Sequence, residues 1–268
     1  MLPLWMPLAG ALLGFGDHLV RDLDRRAAID IASRLSGPHK KVTVKSFPDG
    51  LITGPLGHVR QATIIASNFE TEGLPLFTEP DRSTRGHLGE LQLVLNNFKL
   101  AGLHVDSLMA TIPSCRFDLG LAMKHAQIRL SRSGVGQGYV RVSESDLEAF
   151  ILRKVKEIRR VKVQVRQGIV WVEGYGEFLV LKSDFAVIAE LVPTDDGLSL
   201  SLSKPKIYFG WRPADEFSAQ QLLKAMNPVV HFDKDLKLQG AVRVQRIKLE
   251  KGFLEAWGST TIPVQRKS

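Results

Sequence analysis

The segment Leu198–Ser203, LSLSLS, alternates apolar and polar residues without a break, and Val161–Arg166, VKVQVR, does the same. A strict period of two places the apolar side chains of a β-strand on one face and the polar side chains on the other. The same alternation recurs at residues 42–45, 91–95, 128–131, 236–238 and 242–245. Strands with one apolar and one polar face predict an antiparallel sheet, and not the doubly buried parallel sheet of a nucleotide-binding fold.

Three segments have apolar residues at helical spacing instead. Residues 17–36 form an amphipathic pattern with Asp17 placed as a cap, which predicts a helix. A second helix is predicted to begin after Ser143 or Ser145, since serine is a favourable N-cap residue, and a third to span Asp215–Met226. Together with the strands, these helices predict an α+β fold, with residues 17–268 as a single domain.

Two short segments resemble each other. SNFETEGL at residues 67–74 and NNFKLAGL at residues 96–103 each follow an alternating strand. The repetition suggests a sheet that grows by repeated meander units, although two copies are too few for a solenoid.

Composition restricts the class of protein. The chain has 268 residues, of which 44% are hydrophobic and 24% charged, so it is long enough and apolar enough to bury a core. Its net charge of +8 and its isoelectric point near 9.6 favour contact with an anionic partner. Cys115 is the single cysteine, which excludes an internal disulfide and a thiol-rich metal site.

The first sixteen residues, MLPLWMPLAGALLGFG, contain no charged side chain. This segment is too short for a membrane-spanning helix, which needs roughly 20 apolar residues. It is similar to the apolar part of a secretory signal, and Ala9-Gly10-Ala11 has the small-x-small form of a cleavage site. We therefore expect residues 1–16 to be the remnant of a signal or an anchor and the protein to be located in the cell envelope, periplasmic or extracytoplasmic.

The common signatures of catalysis and metal binding are missing from the sequence. No two histidines lie at metal-ligand spacing, and no G-x-S-x-G motif occurs. Gly134–Gly138 is followed by a strand pattern, so we interpret it as a hairpin turn and not as a phosphate loop. Cys115 is interpreted as a small buried residue. We predict no catalytic residues, no metal site and no cofactor.

A basic cluster lies on and after the second predicted helix. Seven basic residues and a single acidic residue occur between Arg153 and Arg166. The cluster suits an anionic membrane or phosphate groups, and a solvated helix face is the alternative. It lacks the interleaved aromatic residues that stack on bases, so we expect no nucleic-acid partner.

The order of several motifs resembles the LmeA-like phospholipid-binding family of bacterial envelope proteins. The motifs are Ser46-Phe47-Pro48 after the first strand, Gly73-Leu74-Pro75-Leu76 in a later turn, and Ser143-Glu144-Ser145-Asp146-Leu147 at a helix start. The resemblance covers roughly residues 20–265. It implies a long curved antiparallel sheet wrapped around a few helices, similar to tubular lipid-binding (TULIP-like) modules, and non-enzymatic binding of a phospholipid or related acyl lipid.

From this resemblance and the apolar stripes of the helices we predict three groups of site residues. The apolar groove is predicted from Phe150, Ile151, Val155, Phe217, Leu222, Leu223 and Met226. An apolar flap is predicted from Phe47, Leu51, Ile52 and Leu56, and the headgroup contacts from Arg153, Lys154, Arg159 and Arg160. Trp171, Tyr208, Phe209 and Trp211 are either core or interfacial aromatic residues.

Two other functions stay open from the sequence. A basic scaffold protein would bind an anionic envelope polymer without a lipid, and a tightly packed interior would favour it. An enzyme would need His, Asp and Ser or Cys115 to converge from distant positions. The partner is predicted to be a phospholipid or a membrane surface, and the oligomeric state is left open.

Overall fold

The computed structural model describes residues 6–50, 57–74, 78, 86–125, 127–178 and 181–264. The helices within this part are α1 Met6–Ser33, α2 Leu119–His125, α3 Glu144–Lys154, α4 Glu216–Met226 and α5 Phe232–Leu236. The strands are β1 Lys41–Pro48, β2 His58–Thr71, β3 Gly86–Leu100, β4 Leu103–Phe117, β5 Leu130–Arg132, β6 Gly136–Ser143, β7 Ile158–Arg166, β8 Ile169–Phe178, β9 Leu181–Pro193, β10 Ser199–Phe209, β11 Arg212–Pro213, β12 Val230–His231, β13 Val242–Glu250 and β14 Phe253–Thr260.

The strands form two sheets. The eight-stranded sheet has the order β1-β2-β3-β4-β6-β14-β13, with β5 paired to β4. The six-stranded sheet has the order β11-β10-β9-β8-β7, with β12 paired to β10. The predicted α+β class rich in antiparallel strands is confirmed, but the strands are divided between two sheets and do not form a single long one.

The two similar segments lie where the sheet departs from the antiparallel rule. Strands β2 and β3 pair in parallel, in a register that places Phe69 opposite Phe98. The rings of Phe69 and Phe98 stack with their centroids 4.9 Å apart, and Nδ2 of Asn97 donates to Oδ1 of Asn68 at 2.6 Å. Both asparagines have positive φ, at 56° and 49°. The two similar segments therefore lie side by side in one sheet, and they do not form successive meander units.

Helix α1 is longer than its pattern suggested. Its described part runs from Met6 to Ser33, so Asp17 lies within it and does not cap it. Ala27 and Ile31 are buried in the main hydrophobic core. Among the described residues, no helix combines the length and the apolar character needed to cross a membrane.

Helix α3 begins as predicted and also protects a sheet edge. The Ser143 hydroxyl accepts a hydrogen bond from the backbone N–H of Asp146, which makes Ser143 the N-cap. Carboxylate oxygens of Glu144 and Glu148 accept from the backbone N–H groups of Val165 and Val163 at 2.9 and 3.0 Å. These donors belong to β7, the last strand of its sheet, so α3 satisfies groups that would otherwise be open to pairing with another chain.

The alternation at residues 236–238 did not produce a strand. Leu236 ends the short helix α5, and Lys237 and Gln239 both adopt φ of 53°. Leu236 and Leu238 are nevertheless buried, because this irregular segment covers the core that lies between the two sheets. The prediction of a strand was wrong here, although the prediction of buried leucines was confirmed.

Candidate functional site

A cavity of about 230 Å³ lies against one face of the eight-stranded sheet, which we call the inner face. Strands β2, β3, β4, β6, β14 and β13 provide its main wall. Ile31 and Leu35 close it from the side of α1, and Phe232, Leu236 and Leu238 close it from the side of α5. The cavity is thus formed by strands and short connecting segments more than by the amphipathic helices.

Small residues in adjacent strands explain why space remains here. Across the sheet, Leu93 pairs with Ala110, Ala110 with Gly138, and Gly138 with Gly258. The side chains on the inner face therefore become smaller from β3 to β14 along this row. A Cβ atom built on Gly138 would have no neighbouring atom closer than the carbonyl oxygen of Met109 at 3.7 Å. The next inner row passes through Val140 to Ala256, which is again small.

The lining is almost entirely hydrocarbon. Leucine, isoleucine, valine, alanine and phenylalanine supply most of it, and none of the described lining residues is charged. Hydroxyl-bearing residues of the lining include Thr260 and Thr261, where β14 ends, and Thr78. Apolar cavities do not hold ordered water, because water needs two to four polar partners. The chemistry of the cavity therefore suits an alkyl chain with any polar group kept at its edge.

The predicted groove residues lie elsewhere. Phe150, Ile151, Val155, Leu222 and Met226 are buried, Leu223 is partly buried, and Phe217 is 58% exposed. None of these seven residues lines the 230 Å³ cavity. Ile151 and Met226 line a much smaller cavity, of about 20 Å³, between α3, α4 and the six-stranded sheet. The structure brings most of the set together, but as part of a packed core.

The predicted flap can be located only in part. Phe47 lies on β1 and is 44% exposed. Leu51, Ile52 and Leu56 lie outside the described residues.

The four predicted headgroup contacts all have partners within the chain. Arg153 donates to the carbonyl of Ala101 at 2.6 Å. Lys154 lies 2.6 Å from the carboxylate of Asp235 and also donates to two backbone carbonyls. Arg159 and Arg160 form exposed ion pairs with Glu177 and Asp184, each at 3.1 Å. None of the four lines the large cavity. Lys154 therefore holds α3 against the segment before α5.

Three other polar residues come together beside β4. Ligand atoms of His104, Asp106 and Asp146 lie within 4.8 Å of one another, so this group could hold a metal ion. Because Asn97 donates its amide to Asn68, its Oδ1 accepts from Nε2 of His104 at 2.7 Å. Nδ1 of His104 lies 2.9 Å from Asp146, at ion-pair distance but without the angle of a hydrogen bond.

This grouping was not visible in the sequence. His104 and Asp106 belong to β4 whereas Asp146 belongs to α3, so no local spacing indicates it. All three residues are partly exposed, and such groups are common without an ion.

Cys115 is fully buried, and its burial raises the pKa of the thiol to about 12. The thiolate is the reactive form of cysteine, so this environment opposes nucleophilic chemistry. The interpretation of Cys115 as a packed small residue agrees with this placement.

Comparison of the chain with protein-family models, with curated proteins and with solved structures finds no match in any of the three.

Proposed function

We propose that the protein binds a phospholipid or related lipid by taking an acyl chain into the 230 Å³ cavity, without catalysing a reaction. The observation that carries this proposal is a large cavity whose described lining is apolar and uncharged. Burial of a methylene group gains about 0.8 kcal/mol, so a chain that places about eight methylenes there gains about 6 kcal/mol.

The free energy of the protein alone gives a second argument. Apolar cavities destabilise a folded protein by about 24 cal/mol per Å³, so the 230 Å³ left unfilled would cost on the order of 5 kcal/mol. The whole stability of a domain is only about 5–15 kcal/mol. Retention of such a space is easier to understand if a ligand recovers that free energy.

The position of the polar headgroup follows from the lining. We place it at the edge where Thr260 and Thr261 contribute hydroxyl groups, because most of the described wall is hydrocarbon and offers few hydrogen bonds. This edge takes the place of the basic residues predicted from the sequence as headgroup contacts. The charged groups of those residues contact other parts of the chain; they are Arg153, Lys154, Arg159 and Arg160.

The wider role belongs to the same proposal. The resemblance to the LmeA-like family, with its TULIP-like fold, supports lipid handling or transport in the cell envelope, and the segment at residues 1–16 supports export. A packed interior would have favoured the basic scaffold protein, and the cavity supports the lipid-binding alternative.

Native mass spectrometry of protein purified from a bacterium without detergent tests the proposal. We expect a population with the added mass of one phospholipid, which extraction and fragmentation would identify. A protein that stays at its apo mass after incubation with phospholipid vesicles would contradict it.

A further inference from the structure

The hairpin between β10 and β11 ends in an unusual turn. Phe209 pairs with Arg212, so Gly210 and Trp211 are its two central residues, with φ of 51° and 65°. Positive φ at both positions is typical of a type I′ turn, in which glycine, asparagine and aspartate are favoured. A bulky residue in this region of backbone space is a genuine outlier, because its side chain crowds the backbone. Trp211 is therefore a poor choice for forming the turn.

The same tryptophan is also strongly exposed. Trp211 is 73% exposed, and Phe217 is 58% exposed in the first turn of α4. The two are connected by a short segment that the structure holds in place. The N–H of Ala214 donates to the carbonyl of Ile207 at 2.9 Å. The Asp215 carboxylate accepts from the N–H of Ser218 at 3.0 Å, which lowers the pKa of Asp215. Two large aromatic side chains thus project near one end of the six-stranded sheet.

Charged groups surround this end. The N–H of Gly210 donates to the carbonyl of Asp184 at 3.0 Å, and the Asp184 carboxylate pairs with Arg160. Arg212 and Lys182 are exposed nearby, on β11 and β9. Asp215 and Glu216 are exposed as well, so positive and negative charges are nearly balanced. A partner held mainly by charge is disfavoured, and the aromatic side chains are the main contact that this end offers.

We propose that Trp211 and Phe217 anchor the protein to the surface of a phospholipid bilayer. Tryptophan suits the headgroup level of a membrane, where its ring contacts hydrocarbon and its N–H reaches polar groups. Arg212, next to Trp211, lies where it would contact phosphate groups. The energetically unfavourable exposure and backbone conformation of Trp211 are then explained by a contact made outside the protein. This inference goes beyond the lipid cavity, since docking needs no ligand inside the protein.

Co-sedimentation of the full chain with vesicles of phosphatidylcholine, alone and mixed with phosphatidylglycerol, tests the anchor. Trp211→Asn is expected to lower the vesicle–water partition coefficient of the protein about tenfold, because the variant has no large apolar side chain at this position to transfer from water into the bilayer. Phe217→Ser should have a similar effect. Trp211→Asn should also raise Tm, because asparagine tolerates positive φ. A purely structural role for Trp211 predicts the opposite change in Tm.

A matched variant completes the test. Val135→Asn removes an exposed apolar side chain, 71% exposed, from the turn before β6 and should leave vesicle binding unchanged.

Four results would overturn the anchor: no sedimentation of the wild-type chain, wild-type binding by both aromatic variants, a fall in Tm for Trp211→Asn, or a dimer that Trp211→Asn disrupts.

Discussion

Replacement of Gly138 by leucine tests whether the cavity is real space that a ligand can use. Gly138 lies on the inner face of β6, between Ala110 and Gly258, and its φ is not in the left-handed region. Its built Cβ meets nothing closer than 3.7 Å, so a side chain can begin there without displacing the backbone. Leucine then adds four carbon atoms that enter the cavity.

The expected gain in stability follows from those four carbons. At about 0.8 kcal/mol each, they contribute about 3 kcal/mol to the free energy of unfolding of the ligand-free protein. Replacement of a strand glycine adds roughly 0.5–1 kcal/mol. For a chain of this size each kcal/mol raises Tm by about 2–4 °C, so we expect an increase of about 10 °C. The same carbons occupy space that an acyl chain would need.

Thermal unfolding of delipidated protein and titration with a fluorescent acyl probe measure the two effects. Gly138→Leu should raise Tm and abolish probe binding. Gln137→Leu is the matched control, because it adds the same side chain one residue earlier, at an exposed position on the opposite face. The control should bind the probe as the wild type does. Lower Tm together with unchanged probe binding for Gly138→Leu would refute the reasoning.

The remaining predictions concern other parts of the chain. Cys115, with its pKa near 12, should react with a disulfide reagent at pH 8 at least about a hundredfold more slowly in the folded than in the unfolded protein; comparable rates would contradict the burial. Asp30→Ala should cost about 3 kcal/mol in urea unfolding, because it leaves the buried Arg129 without its carboxylate at 2.8 Å. Asp184→Ala, at the exposed pair with Arg160, should cost less than about 1 kcal/mol, and equal costs would contradict this contrast. The full chain expressed in a bacterium should fractionate with the envelope, and recovery from the cytoplasm alone would contradict export.

The secondary structure could be predicted where local chemistry decides it. Ser143 and Asp215 cap their helices as expected, because N-capping depends only on residues within one turn. The strands at residues 158–166 and 199–209 follow their alternation. At residues 236–238 the backbone turns through two positive-φ residues, Lys237 and Gln239, which apolar spacing cannot indicate.

The pairing of the strands could not be predicted in the same way. Parallel pairing of β2 with β3 depends on the path of the connection between the two strands. The similarity of the two segments does not specify that path. The division into two sheets likewise depends on contacts between strands distant in sequence.

The cavity is not visible in the sequence for a related reason. An apolar stripe on a helix indicates burial but does not distinguish packed core from cavity lining, so the sequence predicts Ile151 and Leu222 in the groove although the structure packs both in the core. The useful signal is the alignment of Ala110, Gly138 and Gly258 across three strands. These small residues are far apart in sequence, and only the strand register shows that they are neighbours.

Photo-crosslinking with a phospholipid that carries a diazirine in its acyl chain tests the central claim most directly. Illumination followed by peptide mass spectrometry locates the covalent adducts. We predict saturable adducts on the inner-face residues of β3, β4 and β6, such as Leu93, Leu108 and Val140. Adducts confined to peptides of α3 and α4, or adducts that unlabelled phospholipid does not compete away, would contradict binding in this cavity.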